Sequence, residues 1–539
     1  MATKVEFAMS WQAIWVLKAV LCTSALGATV IVHLVHHLSG KAYIKRLRIG
    51  LLVLAALGVA AYFNFGRFHG NKYPATVHVY DMYHYYMGAK YFPELRYDGL
   101  YAATAVAAQE EPNALPRIKA AARVRDLSAD RVVPVAGVLA QKDRVRSAFR
   151  PEHWEQFKAD LRWFHGQMSA GLWGRALSDL GFNGPPVWLL AGRLFSHMLG
   201  PPHAWQVTVL GWLDVALMAG AFYFVWRAFG LATTTLAIVL FGTNFMQRYG
   251  DISGSLLRLD WLAYLLIGAS LARLGRYRWA GFFVAYAGLL RIFPLVYVGG
   301  VVLRFCYGLI RDRKPWQPEF TLLKSFAASS GLLVVLSMLQ PGGATAWPAF
   351  LADIIPHAQK LTGKRIGLPY LFVYRGESSL GDLGIKGADP WGQYYRMRQQ
   401  WYEQWKWAIW LVRCVVLVLF ARVCVHSQLH EALLLGIVLV FFFTHPAGYY
   451  CGHIISLVLL LGPRLMQAGA VWLLSSLFAL MVVMQAVNSA EASSHFQQFL
   501  ISLWLCLSLL GLLGWLLVRR PASVAAGETS VLAAQPVAL

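Results

Sequence analysis

The stretch Asn183-Gly-Pro-Pro-Val-Trp-Leu-Leu-Ala-Gly-Arg-Leu-Phe-Ser-His-Met-Leu199 decides how this 539-residue chain is threaded. It is apolar but short. Pro185 and Pro186 suit a helix start, where the missing amide hydrogen has no intrahelical partner to lose. Read as a bilayer crossing, the stretch inverts every later connector and puts the basic ones on the far side. Read as a shallow or re-entrant juxtamembrane helix, it leaves the short basic connectors together on one side. The second reading is the one adopted.

Around it the sequence is 58% hydrophobic and only 14% charged, against about 25% charged residues in soluble domains. Apolar runs recur at 11–36, 47–64, 205–226, 229–246, 257–273, 278–291, 293–311, 321–340, 406–424, 431–445, 451–463, 469–488 and 497–517. Runs of about 20 apolar residues cross a bilayer as helices, so these predict an all-α polytopic membrane protein of about 13 spans. Residues 11–36 are too long for the apolar part of a signal peptide, and Lys18 interrupts them. They read as a retained span.

Basic residues follow alternate spans: Lys41, Lys45, Arg46 and Arg48, then Arg227, then Arg273, Arg276 and Arg278. Arg311, Arg313 and Lys314 come next, then Arg422, Arg464, and Arg519 with Arg520. All face the cytoplasm if the N-terminus is outside. Two long segments, 65–204 and 341–405, then lie outside. The first carries helical stretches at Pro116–Asp126 and Glu152–Met168 that suit an interfacial layer or small cap. One membrane domain, 1–520, and a disordered cytoplasmic tail, 521–539, complete the expected organisation.

The net charge of +22 would suggest nucleic acid in a soluble protein. Here much of the excess sits in short connectors that orient spans and meet anionic lipid. No nucleic-acid partner is expected. The six cysteines lie in or beside apolar runs without metal-ligand spacing, so neither disulfides nor a zinc cluster are expected. Walker A, GxSxG and HExxH patterns are absent.

Chemistry concentrates in His78-Val-Tyr-Asp-Met-Tyr-His-Tyr-Tyr-Met-Gly-Ala-Lys-Tyr-Phe92. An interfacial aromatic belt does not need an acid at its centre. Asp81 therefore reads as a catalytic base, with Tyr83, His84, Tyr85 and Lys90 as substrate contacts. The plain alternative pairs Asp81 with Lys90 or Arg96. Three further clusters share the outer face. The first, 247–260, contains Arg248, Asp251, Arg258 and Asp260. The second is Arg291 in the turn Leu290-Arg-Ile-Phe-Pro294, and the third is His445-Pro-Ala-Gly-Tyr-Tyr-Cys-Gly-His453, which includes Tyr449. The loop 341–405 adds His357, Lys360, Lys364 and Arg365.

Ionisable groups at membrane depth usually serve a site. One carboxylate among cations is what acid–base work on a phosphate-linked substrate requires. Asp251 reads equally as a site residue or a partner of Arg248. Asp260 reads as a helix-start residue, and His453 as a core histidine. Arg291 and Arg365 read equally as phosphate contacts or headgroup anchors. The aromatic residues of 391–407 read as an interfacial belt.

The order of these pieces resembles the GT-C class of integral-membrane glycosyltransferases, most closely the glycosyltransferase 87 (DUF2029) type that uses polyprenyl-phosphate sugars. Asp81 to Gly88 resembles its acid in an aromatic outer loop, and Gly184-Pro-Pro-Val-Trp188 its juxtamembrane helix. Arg227-Ala-Phe-Gly230, Arg291-Ile-Phe-Pro294, Gly363-Lys-Arg-Ile-Gly-Leu-Pro369 and His445-Pro-Ala-Gly-Tyr-Tyr450 resemble later elements.

The resemblance implies an inverting, mannosyltransferase-like hexosyltransferase in a bacterial inner membrane, its site facing the periplasm. The donor is a polyprenyl-phosphate-linked sugar and the acceptor a lipid, glycan or protein. Asp81 removes the acceptor proton. A single Asp stands where an acidic pair would hold a metal, so no cofactor is expected. The competing reading is a transporter or lipid flippase, which predicts paired repeats and charges near mid-membrane.

Overall fold

The computed structural model describes residues 9–35, 41–70, 76–198, 203–386 and 390–518. The tail 521–539, with Arg519 and Arg520 before it, lies outside the described residues, as do the side chains of Lys41 and His357.

A helix rises about 1.5 Å per residue, so about 20 residues cover a bilayer core of about 30 Å. Among the described residues seven helices are long and apolar enough: Trp11–Leu34, Ala204–Thr243, Phe293–Asp312, Gln317–Leu339, Pro390–His426, Ala468–Ser489 and Ser494–Val518. The chain is an all-α polytopic membrane protein. On the first helix Ile14, Lys18, Leu21, Cys22 and Ala25 are buried, while Val16, Val20 and Ile31 stand about half exposed. An exposed face of that composition suits lipid, not water.

The remaining predicted spans are present as other pieces. The runs 205–226 and 229–246 form one 40-residue helix, broken where Gly230 leaves helical geometry at φ 81°, ψ 174°. Asp260–Arg273 and Tyr277–Leu290 have 14 residues each, about 21 Å of helix. The run 431–445 splits into Leu429–Leu434 and Gly436–Phe443, and 451–463 begins as a 3₁₀ turn before Ile455–Leu461. These pieces are mostly buried in the bundle. An apolar run marks removal from water; it does not distinguish lipid from protein as the surroundings. The predicted span 47–64 is the helix Lys41–Tyr62, which carries Lys45, Arg46 and Arg48 near its start. It packs tightly on Ala204–Thr243, where a Cβ on Gly242 would run into the Gly58 carbonyl.

The juxtamembrane stretch is the 13-residue helix Pro186–Met198, which buries Val187, Trp188 and Leu189. The cap in front of it holds the expected helix as Pro151–Gln167. The other expected helix, Pro116–Asp126, is corrected: it stops at Lys119, and Arg123–Asp126 is a strand paired antiparallel with Arg131–Pro134. Asp126 Oδ1 takes hydrogen bonds from Ser128 N and Oγ at 3.1 and 2.6 Å, closing the turn that favours a hairpin.

Arg273 donates to the Ala228 carbonyl at 2.8 Å, and Arg464 pairs with Glu431. These basic connectors lie a helix length from Asp260, at the other end of Asp260–Arg273. Segments 65–204 and 341–405 gather at the Asp260 end.

Candidate active site

The Asp81 segment is helical over Val79–Lys90, but Tyr83–Met87 is a π-helical turn between α-helical pieces Val79–Met82 and Gly88–Lys90. Such widened turns are rare and frequent at functional sites. His78 Nδ1 accepts from the Asp81 amide at 3.1 Å and caps the start. The juxtamembrane segment fixes the rest: Tyr85 donates to Asn183 Oδ1 at 2.6 Å, and Tyr97 to the Gly184 carbonyl at 3.0 Å.

A second segment, 248–259, is clipped to the first. His78 N donates to the Gly254 carbonyl at 2.9 Å, and Tyr249 to the Thr76 carbonyl at 2.8 Å. Gly254 has φ +76°, and a Cβ there would strike the Thr76 oxygen. Only glycine meets both conditions without strain. Leu257 follows at φ 49°, a strained setting for a branched side chain. Trp188 Nε1 holds its carbonyl at 2.9 Å. The Asp214 carboxylate holds the Arg258 and Leu259 amides at 2.8 and 3.0 Å.

These constraints deliver Arg258 to Asp81. Arg258 Nε lies 2.7 Å from Asp81 Oδ2, with side chains 4% and 15% exposed. The two atoms are close yet not aligned as a hydrogen bond, and Arg258 Nη1 also has no partner. The contact is a charge pair with spare hydrogen-bonding capacity. The guanidinium lies 4.0 Å over the Tyr85 ring. Since Oδ2 is buried, the carboxyl meets solvent through Oδ1. Burial pushes the Asp81 carboxyl above the ordinary carboxylate range, and Arg258 pulls it only part of the way back.

The pair opens on a cleft of about 1420 Å³, walled by segments 65–204 and 341–405, the 248–258 segment, 447–449 and the start of the Ser494–Val518 helix. Sites for one drug-sized ligand occupy roughly 300–1,000 Å³, so two substrates fit. The walls carry ten arginines and lysines and four aspartates, an excess of cations suited to phosphate.

The sequence-predicted residues divide. Asp81, His84, Tyr85, Arg248, Asp251, Lys364, Arg365 and Tyr449 line the cleft together. His84 Nδ1 faces the Tyr80 carbonyl at 2.8 Å and must donate, so Nε2 accepts from Tyr101 at 2.8 Å. Both ring nitrogens are therefore committed. Arg248 and Asp251 pair at 3.6 Å. Lys364 is exposed with φ 62°, and Arg365 bonds Thr362 Oγ1 at 3.0 Å.

Tyr83, Lys90, Arg291 and His445 do not line the cleft. Tyr83 is buried against Thr104 Oγ1 at 2.7 Å. Lys90 is committed to Asp160 at 2.6 Å, both fully enclosed. Arg291 lies behind the aromatic wall, 5.7 Å from the Tyr85 ring and 5.9 Å from Tyr450, with Nε and Nη2 unpartnered. His445 is half-buried. His453 is fully enclosed beside the Tyr297 hydroxyl at 3.0 Å, and Asp260 starts its helix, accepting from Trp261 N at 2.8 Å.

Arg258 was legible as a charge, but its local acids hid its partner. Asp179 gave no signal at all, yet it lines the cleft and accepts from Tyr80 at 2.7 Å. Trp391 and Tyr395, from the expected belt, line the cleft too. Among the described residues no three His, Cys, Asp or Glu side chains group to hold a metal ion. The chain matches no family model, no curated protein and no solved structure.

Proposed function

We propose that this membrane protein is a glycosyltransferase of GT-C type, moving a sugar from a polyprenyl-phosphate donor to a lipid, glycan or protein acceptor. The cleft faces the periplasm of a bacterial inner membrane in this reading. One observation carries it: a partly exposed carboxylate, Asp81, is held by a buried guanidinium in a cation-rich cleft wide enough for two substrates.

Asp81 Oδ1 accepts the proton of the acceptor hydroxyl while Arg258 fixes the carboxylate through Oδ2. The acceptor oxygen bonds to the anomeric carbon as the bond from that carbon to the phosphate oxygen breaks. The electron pair leaves with the phosphate. Lys364 and Arg365, on the opposing loop, stabilise that growing charge. Arg291 acts from behind Tyr85 as a positioning residue. A donor tail lying among the apolar helices contributes roughly 0.8 kcal/mol per buried CH₂, so no soluble nucleotide sugar is needed.

The test is transfer from a panel of radiolabelled polyprenyl-phosphate hexoses in proteoliposomes, with native envelope extract as acceptor source. Labelled product from the native chain, lost in Asp81→Asn, is expected. Product formed equally well by Asp81→Asn would remove the mechanism.

A further inference from the structure

A second cavity, about 250 Å³, lies between the outer ends of the first two helices and the 248–251 turn. Trp11 and Trp15 stand on one face of the first helix, one turn apart, and form a wall. Lys18, just below them, is 2% exposed and donates to Asn64 Oδ1 at 2.8 Å. A lysine amino group carries at least two hydrogens, so at least one remains to offer. Gln485 is also 2% exposed; its Nε2 donates to the Thr243 carbonyl at 3.3 Å, while its Oε1 has no partner. His69, Arg248, Gly250 and Asp251 complete the lining, and Arg248, Gly250 and Asp251 also line the cleft, so the two spaces share a wall.

This set of groups narrows the occupant. An anion would meet the Asp251 carboxylate and the Gln485 oxygen. A simple cation would meet the Arg248 guanidinium. A lipid tail would leave the Lys18 hydrogens and Gln485 Oε1 unsatisfied away from water. A ring bearing several hydroxyls answers all of them, because each hydroxyl both donates and accepts. Its carbon–hydrogen face lies on an indole. The volume falls below the roughly 300–1,000 Å³ of a drug-sized site, which suits one ring and not a chain.

We infer that this cavity is a saccharide subsite, holding one sugar ring of a membrane-borne acceptor beside the cleft. Only the word acceptor rests on the glycosyl-transfer reading; binding of the ring does not. The first helix brings its two tryptophans to the outer end of the bundle, where a glycolipid headgroup would arrive.

The full chain in phosphatidylcholine nanodiscs is titrated calorimetrically with methyl and hexyl glycosides of glucose, mannose and galactose, with hexanol as control. At least one hexyl glycoside should bind with Kd of about 1 mM, and Trp15→Ala and Gln485→Met should each weaken it about tenfold. The hexyl glycoside should raise the unfolding temperature of the native chain but not of Gln485→Met, which separates a ligand role from a structural one. Binding that survives both substitutions, absence of binding across the panel, or equal binding of hexanol would overturn the subsite. Methyl glycosides binding as tightly as hexyl would overturn the membrane-borne origin. Glycoside binding without any sugar transfer would leave the subsite standing and remove the transfer reading.

Discussion

Replacing Asp81 by Asn tests the ion pair and the base together. Viewed from sequence, the partners open to Asp81 were Lys90 and Arg96. The fold alters that expectation. At the 2.7 Å separation of Arg258 Nε and Asp81 Oδ2, the gross attraction is about 6 kcal/mol at an effective dielectric of about 20. Desolvation cancels much of it. Removing one partner of a buried pair still costs about 3–5 kcal/mol, because the other charge stays buried. Asp81 keeps some solvent contact, so the lower end, about 3 kcal/mol, is expected. Loss of a general base separately lowers the rate about 10²–10⁴-fold. The double variant Asp81→Asn, Arg258→Gln removes both charges and should recover most of the stability but none of the activity. Thermal unfolding of the purified protein and the transfer assay read the two effects independently. Should Asp81→Asn unfold like the native chain while Arg258→Gln does likewise, the pair contributes nothing and the reasoning fails.

Three other outcomes follow from the geometry. Because the base must be ionised and burial raises its pKa, the acid limb of kcat/KM should lie above that of a free aspartate. Arg258→Gln removes the cation that favours ionisation, so the limb should move to higher pH; movement downward would contradict it. Lys90→Met breaks the enclosed pair with Asp160 and should destabilise by about 3–5 kcal/mol. Activity per folded molecule should nevertheless stay unchanged, measured by thermal unfolding and specific activity. Gly254→Ala forces a Cβ into a left-handed turn and against Thr76; it should cost more than about 1 kcal/mol and lower kcat more than it raises donor KM.

Much of the architecture was legible because hydrophobicity and proline are local signals. Pro186 does start the helix that ends the first outer segment, and that helix is too short to cross a bilayer. Pro151–Gln167 is helical because its apolar residues recur at helical spacing, and Trp154, Phe157, Leu161 and Phe164 are all buried. The hairpin was missed since its strands are four residues long and charged. The split of the 431–463 region was missed because an apolar run looks alike whether continuous or broken. Within the site, ten of the side chains singled out in the sequence line one cleft, Arg258 and Lys360 among them, since the segments that carry them converge at one end of the bundle. The Lys90 pair with Asp160 was not legible, for want of any sign that Asp160 would reach it.

By itself the sequence determined that this chain is built for a bilayer and where several of its helices start. Only the tertiary structure decided that Asp81 belongs to Arg258, and that Asp214, beside the same loop, is spent on the backbone amides of Arg258 and Leu259. The physical reason is range. Burial of apolar surface is dictated residue by residue along the chain, whereas a charge chooses its partner by distance in space. That distance exists only once Gly254, Leu257 and Trp188 have folded the loop back against the Asp81 helix.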